Sequence, residues 1–190
     1  MEICRIVFAG SGGQGVITAA IVLAEAAVIY EDLIAVQSQS YGPEARGGST
    51  RSDVIVADSP IRYPKVNQPN VLVCLTQESY NKYYPIIRPG GILITDLRHV
   101  TPLSRGDARQ LALPIYDTVM AEIGSPVVQN ICMLGAVAGI TGLVRRESIM
   151  SSLKGRVPPE FLAMNQKALR LGFGLVADRK DAYPACMMRV

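Results

Sequence analysis

The first third of the chain alternates between short apolar runs and turn residues. The apolar run at 3–9 predicts a buried strand, and the almost unbroken apolar stretch at 16–30 predicts a helix buried on most sides. A further run at 33–37 predicts a second strand. We therefore expect a strand–helix–strand unit with parallel strands and a right-handed crossover.

The remainder of the chain continues the alternation and then becomes helical. Further strands are predicted at 50–57, 71–76, 92–96 and 111–115. Further helices are predicted at 77–84, 131–143, 147–153 and 160–171, with an irregular tail from residue 173. Gly135, Gly139 and Gly142 predict that another element approaches one helix closely. We expect a single α/β domain over 1–190, Rossmann-like, with a mostly parallel sheet, helices on both faces and a helical C-terminal part.

Composition narrows the function classes. Charged residues make up only 18% of the 190 residues and hydrophobic residues 49%, which indicates a large core or surface hidden against partners. Self-association of the isolated chain is therefore expected. A net charge of +3 without a Lys/Arg run argues against nucleic-acid binding. The chain shows no signal peptide and no membrane-spanning stretch, so we expect a cytoplasmic protein that does not bind membranes.

The four cysteines are dozens of residues apart and form no C-x-x-C pair. Neither a zinc site nor an iron–sulfur site is predicted, and no disulfide framework is expected. His99, the one histidine, follows a predicted strand and is interpreted as a surface or loop residue. No side chain stands out as a nucleophile or a general base, so we assign no catalytic residue.

The most informative local pattern is the Gly-rich turn at residues 10–15, GSGGQG, which satisfies G-x-G-x-x-G between a strand and a helix. Glycines let the backbone approach a phosphate, and a helix start attracts anions. Three interpretations remain open: a phosphate or anion site, a purely structural turn, and a nicotinamide or flavin site. The last lacks the acidic residue expected at the end of the second strand, since Glu31 and Asp32 precede that strand.

Residues 38–49 are rich in Ser, Gln and Gly, and we predict a loop there. Tyr41, Glu44 and Arg46 lie between glycines and a proline in this segment. The loop leaves the carboxyl end of the second strand, so we expect it beside the Gly-rich turn. Arg46 suits a phosphate or a carboxylate, although an internal contact between Glu44 and Arg46 is the alternative.

The two motifs together resemble the gamma subunit of the 2-oxoacid:ferredoxin oxidoreductases, most closely the 2-oxoglutarate type. The similarity rests on GSGGQGV at 10–16 and QSYGPEARGG at 39–48, and extends to IRYPKV at 61–66, QESY at 77–80, GGIL at 90–93, Asn130, LGA at 134–136 and the helix at 165–172.

The resemblance implies one subunit of a complex that converts a 2-oxoacid, coenzyme A and oxidised ferredoxin into acyl-CoA, carbon dioxide and reduced ferredoxin. Thiamine diphosphate, Mg and the iron–sulfur clusters are implied on partner subunits (thiamine-binding, alpha and ferredoxin-like), and no cofactor is implied on this chain. The chain is expected to complete the active site and to bind coenzyme A as a substrate. The candidate binding residues are Gly10, Gly12, Gly13, Gln14, Gly15, Tyr41, Glu44, Arg46 and Gly47. The alternatives are a stand-alone NAD(P)-binding oxidoreductase and an interaction subunit whose Gly-rich turn is empty.

Overall fold

The computed structural model describes residues 3–41, 49–103 and 107–182, which are organised around a six-stranded sheet. Its strands are β1 (Cys4–Ser11), β2 (Ile34–Tyr41), β3 (Ser49–Ala57), β4 (Val71–Cys74), β5 (Ile92–Asp96) and β6 (Arg109–Leu113). The α-helices are α1 (Val16–Tyr30), α2 (Gln77–Tyr83), α3 (Ile115–Glu122), α4 (Gln129–Thr141), α5 (Arg146–Lys154) and α6 (Pro159–Gly174). Short 3-10 turns cover Tyr84–Ile86, Pro126–Val128 and Ala177–Ala182. The predicted fold class is confirmed.

The strand order β2-β3-β1-β4-β5-β6 differs from a simple parallel succession at one end. β1, β4, β5 and β6 are parallel neighbours, whereas β3 lies antiparallel to both β1 and β2 and separates them. The predicted parallel direction of β1 and β2 is confirmed, although β3 lies between them and the two strands do not pair.

The segment predicted as a loop at 38–49 is also partly strand. β2 continues to its last residue, where Tyr41 pairs with Thr50, while Gln39 pairs with Ser52. The polar residues 38–40 are exposed on this outermost strand, and an edge strand tolerates such residues because one side faces water. The polar composition of residues 38–41 therefore predicted a loop where the sheet continues.

Alternate residues of β1 point to the two faces of the sheet. Ile6 and Phe8 belong to a large apolar cluster that includes residues of α1, α3, α4, α5 and α6. Val7 and Ala9 belong to a smaller cluster on the other face, to which α2 contributes Tyr80. Helices on both faces were predicted correctly, but their distribution is strongly unequal.

Helix α4 is buried at every residue from its first to its last. A Cβ on Gly172 of α6 would stand 1.9 Å from a carbonyl oxygen of α4, and a Cβ on Gly135 would stand 2.4 Å from a carbonyl oxygen of α6. The predicted close approach at Gly135 and Gly139 is therefore confirmed. Gly142 has another role, because it ends α4 in the left-handed region with φ 62°.

Several element ends differ from the sequence prediction. β6 ends two residues earlier than expected, because Pro114 has no N–H to extend the ladder, and α3 starts directly after it at Ile115. The irregular tail expected from residue 173 is wrong for residues 173–182, and residues 183–190 lie outside the described residues. α6 continues to Gly174, since Phe173 packs against the main apolar cluster, and a 3-10 turn follows.

The carboxyl end of α1 differs from the rest of that helix. Its first three turns are largely buried, as predicted, whereas Val28, Ile29 and Tyr30 are exposed. Within residues 3–41, 49–103 and 107–182, no helix combines the length and the apolar character that crossing a bilayer requires.

The described cysteines are all buried, but they differ in chemistry. Cys4 is disulfide-bonded, so the expectation of a chain without disulfides is wrong for this residue. Cys74 and Cys132 are free. Burial raises the pKa of each of these two thiols to about 12, so both are protonated at neutral pH.

Glu31 joins the end of α1 to the start of α5. Its buried carboxylate accepts hydrogen bonds from Ser148 Oγ at 2.6 Å and from the Arg145 backbone N–H at 2.8 Å, and it pairs with Arg145 Nε at 3.1 Å. Burial acts to raise the pKa of Glu31, but the hydrogen bonds from Ser148 and Arg145 and the Arg145 charge outweigh it, so the pKa lies below its usual range. A carboxylate at a helix start is favourable.

Replacing Glu31 by Gln is expected to lower the free energy of unfolding at pH 7 by about 2 kcal/mol, because the charged acceptor of these bonds is lost. The folded-state pKa is lowered, so the wild-type advantage is present above the unfolded pKa of about 4.3 and disappears as the pH falls through the folded value. Urea unfolding of wild type and variant at pH 7, and again at a pH below the folded-state pKa of Glu31, measures the difference in free energy of unfolding.

Asp32→Asn is the matched control for Glu31→Gln. Asp32 is the neighbouring carboxylate, is exposed, and has a φ of 53°, which Asn tolerates. We expect this control to stay within about 0.5 kcal/mol of wild type. An equal loss for Glu31→Gln at neutral and at acidic pH would contradict the role assigned to the ionised carboxylate.

Candidate functional site

The Gly-rich turn lies at the carboxyl edge of the parallel strands and is closed by its own hydrogen bonds. The Ser11 N–H donates to Gln14 Oε1 at 2.8 Å, and the Gln14 N–H donates to the Ser11 carbonyl at 3.2 Å. Gly12 and Gly13 are exposed, and a Cβ on Gly13 would meet nothing within 4 Å. These hydrogen bonds fix the shape of the turn, and the backbone of Gly12 and Gly13 is accessible to a ligand.

Helix α1 starts without a capping side chain. Its N-cap is Gly15, with φ 69°, and the first turn of the helix contains no acidic residue. The first N–H of the helix with a backbone partner is that of Ala19, which bonds the Gly15 carbonyl at 3.0 Å. The N–H groups of residues 16–18 lack helical acceptors, so the start of α1 carries partial positive charge and suits an anion.

Asn130, at the start of the buried helix α4, anchors the turn from below. Its Nδ2 donates to the Gly15 carbonyl at 3.1 Å. A Cβ on Gly15 would stand 2.4 Å from that nitrogen, so glycine is required there by the close approach as well as by its positive φ. Within the described part of the chain, Asn130 Oδ1 is buried and has no hydrogen-bond partner.

Asp96 extends the polar edge of the sheet to the end of β5. Its fully buried carboxylate accepts from the backbone N–H groups of Arg98 at 3.0 Å and Tyr116 at 2.8 Å, and from Gln129 Nε2 at 3.3 Å. His99 Nδ1 lies 3.2 Å from Asp96 Oδ1. The His99 ring makes an edge contact with Tyr116, with ring centroids 4.9 Å apart.

The start of α4 links these two groups, since Gln129 bonds Asp96 and the next residue, Asn130, bonds the turn. His99 is a loop residue, as interpreted from the sequence, and is 36% exposed. The roles of Asp96 and Gln129 were not predicted from the sequence. The available signal was an acidic residue that directly ends a fully buried strand.

The structure brings together only part of the predicted binding set. The turn holds five of these residues together, of which Gly10 is buried, Gly12 and Gly13 are exposed, and Gln14 and Gly15 are half-buried. The backbone of Tyr41 lies close to it, because Tyr41 pairs with Thr50, and Thr50 pairs with Gly10. The remaining three, Glu44, Arg46 and Gly47, lie outside the described residues. The strand residues that flank their segment, Tyr41 and Ser49, are both at the edge of the sheet that holds the turn.

The end of β2 provides no acidic side chain for a ribose. Gln37 donates to Ser52 Oγ at 2.7 Å, and Glu31, the nearest acid before the strand, is committed to α5. The geometry therefore gives no support to a nicotinamide site. Among the described residues, no group of three or more His, Cys, Asp or Glu side chains is placed to hold a metal ion.

Comparison with known proteins points to one family. A family model described as pyruvate ferredoxin/flavodoxin oxidoreductase matches residues 5–175. The 2-oxoglutarate synthase subunit KorC of Methanocaldococcus jannaschii is 40% identical over 171 residues, which cover 89% of this chain and 91% of that protein. The pyruvate synthase subunit PorC of Methanothermobacter thermautotrophicus is 31% identical over 175 residues, which cover 89% of this chain and 93% of that protein.

A solved structure agrees with the sequence similarity. The crystal structure of a keto/oxoacid ferredoxin oxidoreductase gamma subunit from Geobacter sulfurreducens superposes with a TM-score of 0.85 at 40% identity, covering 94% of this chain and 98% of that one. The match therefore includes the C-terminal helices as well as the sheet and the Gly-rich turn.

Replacing Asn130 by Asp is expected to lower the free energy of unfolding by about 2 kcal/mol, because a buried carboxylate oxygen would face the Gly15 carbonyl in place of a donor. Amide hydrogen exchange at residues 12–16 should accelerate, since the turn loses its anchor. Chemical unfolding and exchange mass spectrometry measure both effects.

The control is Asn81→Asp, the same substitution at an exposed position on α2. Asn81 uses its Oδ1 to accept from Gln77 Nε2, and a carboxylate retains that acceptor. Unchanged exchange at the turn in the Asn130 variant would show that the hydrogen bond does not hold the turn in place.

Proposed function

The chain belongs to the pyruvate ferredoxin/flavodoxin oxidoreductase family, and we propose that it is the gamma subunit of a multi-subunit 2-oxoglutarate:ferredoxin oxidoreductase. The observation that supports the choice of 2-oxoacid is the difference in identity between the two subunits compared above. The value is 40% for the 2-oxoglutarate synthase subunit and 31% for the pyruvate synthase subunit, over nearly equal lengths.

The complex oxidatively decarboxylates the 2-oxoacid and transfers the acyl group to coenzyme A, while ferredoxin takes up the electrons. Thiamine diphosphate, Mg and the iron–sulfur clusters belong to the partner subunits. Ferredoxin is an indirect partner of this chain, because it binds the assembled complex. This chain contributes binding and positioning. Its free thiols at Cys74 and Cys132 are buried and protonated, so neither is a nucleophile.

Coenzyme A is the ligand we assign to the Gly-rich turn. Its phosphates suit the uncapped start of α1, where the backbone of Gly12 and Gly13 is open and the first turn carries no carboxylate to repel an anion. Gln14 holds the turn closed through Ser11. Gly10 and Gly15 keep side chains out of the space used by Gln14 and Asn130.

The neighbouring segment completes this proposal. Tyr41, Glu44, Arg46 and Gly47 belong to the stretch that leaves β2 and returns as β3 beside the turn. Arg46 is assigned to a phosphate, since a guanidinium binds phosphate through two parallel hydrogen bonds.

The subunit assignment is tested by purifying this chain with its partners from its own cells and assaying dye reduction with coenzyme A. We expect activity with 2-oxoglutarate to exceed activity with pyruvate and with branched 2-oxoacids by at least tenfold. Thiamine diphosphate and iron–sulfur subunits should be present in the preparation. A chain that purifies without partners, or a complex that prefers pyruvate, would refute the assignment.

The coenzyme A site is tested by placing a charge at the start of α1. Thr18 is exposed in the first turn, and Thr18→Glu suits the helix dipole while repelling an anion. We expect the KM for coenzyme A in the assembled complex to rise about fivefold, which corresponds to about 1 kcal/mol, with kcat nearly unchanged.

Thr18→Gln is the neutral control of similar size. It should leave the KM for coenzyme A within about twofold of wild type, which separates the effect of charge from the effect of side-chain size. An equal rise in both variants, or no rise in either, would remove coenzyme A from this turn and favour an interaction subunit.

A further inference from the structure

A second anion-receptive site lies at the opposite edge of the sheet. β1, β4 and β5 are parallel, so their first residues meet at the amino edge, away from the Gly-rich turn. The chain between β3 and β4 crosses this edge and borders an open cavity of about 720 Å³. The cavity is lined mainly by Arg5, Tyr63, Lys65, Asn67, Gln68 and Arg88.

Among the residues that the structure describes, the lining combines three cations and no carboxylate. Arg5, Lys65 and Arg88 come from β1, from the crossing segment and from the approach to β5, so they are distant in sequence and converge only in the fold. In the described residues, none of their three side chains forms an ion pair or a side-chain hydrogen bond. Three uncompensated cations at one cavity favour a ligand with more than one negative charge.

The backbone around the cavity is held rigidly by Asn70. The Arg5 N–H donates to Asn70 Oδ1 at 3.0 Å, and the Asn70 N–H returns to the Arg5 carbonyl at 2.8 Å. The Asn70 carbonyl accepts from the Ile92 N–H at 2.8 Å, and the Arg88 N–H donates to the Pro69 carbonyl at 3.3 Å. The starts of β1 and β5 are therefore fixed relative to the segment that carries Lys65.

The other lining groups suit a planar heterocycle. Tyr63 is 59% exposed, although a tyrosine usually buries most of its ring. An aromatic face beside phosphate-binding cations is the arrangement that stacks on a base. Asn67 and Gln68 each offer a carbonyl oxygen and an amide NH₂, which match the mixed donors and acceptors of a base edge.

We propose that this amino-edge pocket binds a nucleoside polyphosphate, with the phosphates on Arg5, Lys65 and Arg88 and the base on Tyr63. The site is separate from the Gly-rich turn, so its occupancy does not depend on the coenzyme A proposal. Coenzyme A itself contains an adenosine phosphate portion, and the binding test therefore compares it directly with ADP.

Calorimetric titration of the full chain with ADP tests the proposal. We expect saturable binding that Lys65→Gln and Arg88→Gln each weaken about fivefold to tenfold, and that Tyr63→Leu weakens about fivefold. Lys154→Gln, at an exposed lysine on α5 outside the cavity, should change the affinity less than twofold. Circular dichroism before each titration confirms that the variants are folded.

Three further probes define what would overturn the proposal. Tripolyphosphate that binds as tightly as ADP would remove the base from the site. A polyglutamate peptide that binds more tightly than ADP would assign the cations to an acidic protein segment. The third probe is coenzyme A. If Thr18→Glu weakens its binding and Lys65→Gln does not, coenzyme A binds at the turn alone, which supports the separation of the two sites. Absence of ADP binding to the full chain would end the proposal.

Discussion

The complete burial of α4 is the constraint on which the rest of the structure depends. A helix with no solvent-facing side must be covered all round, and the glycine contacts at Gly135 and Gly172 let α6 approach closely enough to do so. Burial also leaves no water for the polar groups at its start. Gln129 and Asn130 therefore bond Asp96 and the Gly-rich turn, so that packing in the core determines the position of the candidate site.

The local pattern of apolar residues was sufficient to predict most helices and strands, but it was insufficient to predict which strands pair. The apolar runs at β1, β4 and β5 and the buried helix α4 are recognisable because burial selects apolar residues. The insertion of β3 between β1 and β2 depends on which strands meet, and alternation along one strand contains no information about its neighbour. The polar end of β2 was misassigned for a related reason, since its exposure follows from its place at the sheet edge.

The candidate site shows the same division. The Gly-rich turn was predictable, because glycines between a strand and a helix serve a local conformational need, seen in the φ of 69° at Gly15. Asn130 follows the turn by more than a hundred residues, and Asp96 by about eighty, so contacts to either depend on the whole fold. The amino-edge cluster of Arg5, Lys65 and Arg88 is likewise invisible in the sequence, where each is an isolated cation.

The distribution of charge along the sheet supports the proposal that this chain binds ligands and leaves bond-making to its partners. Its buried acids make structural hydrogen bonds: Glu31 bonds the start of α5, and Asp96 accepts bonds from Arg98, Tyr116 and Gln129. Its free thiols are protonated by burial. The two edges of the sheet each present a group that suits anions: an uncapped helix start at one edge and, among the described residues, three cations without an ion pair at the other. The role proposed for this subunit is to hold a charged substrate in place, since orientation alone lowers the barrier of a reaction.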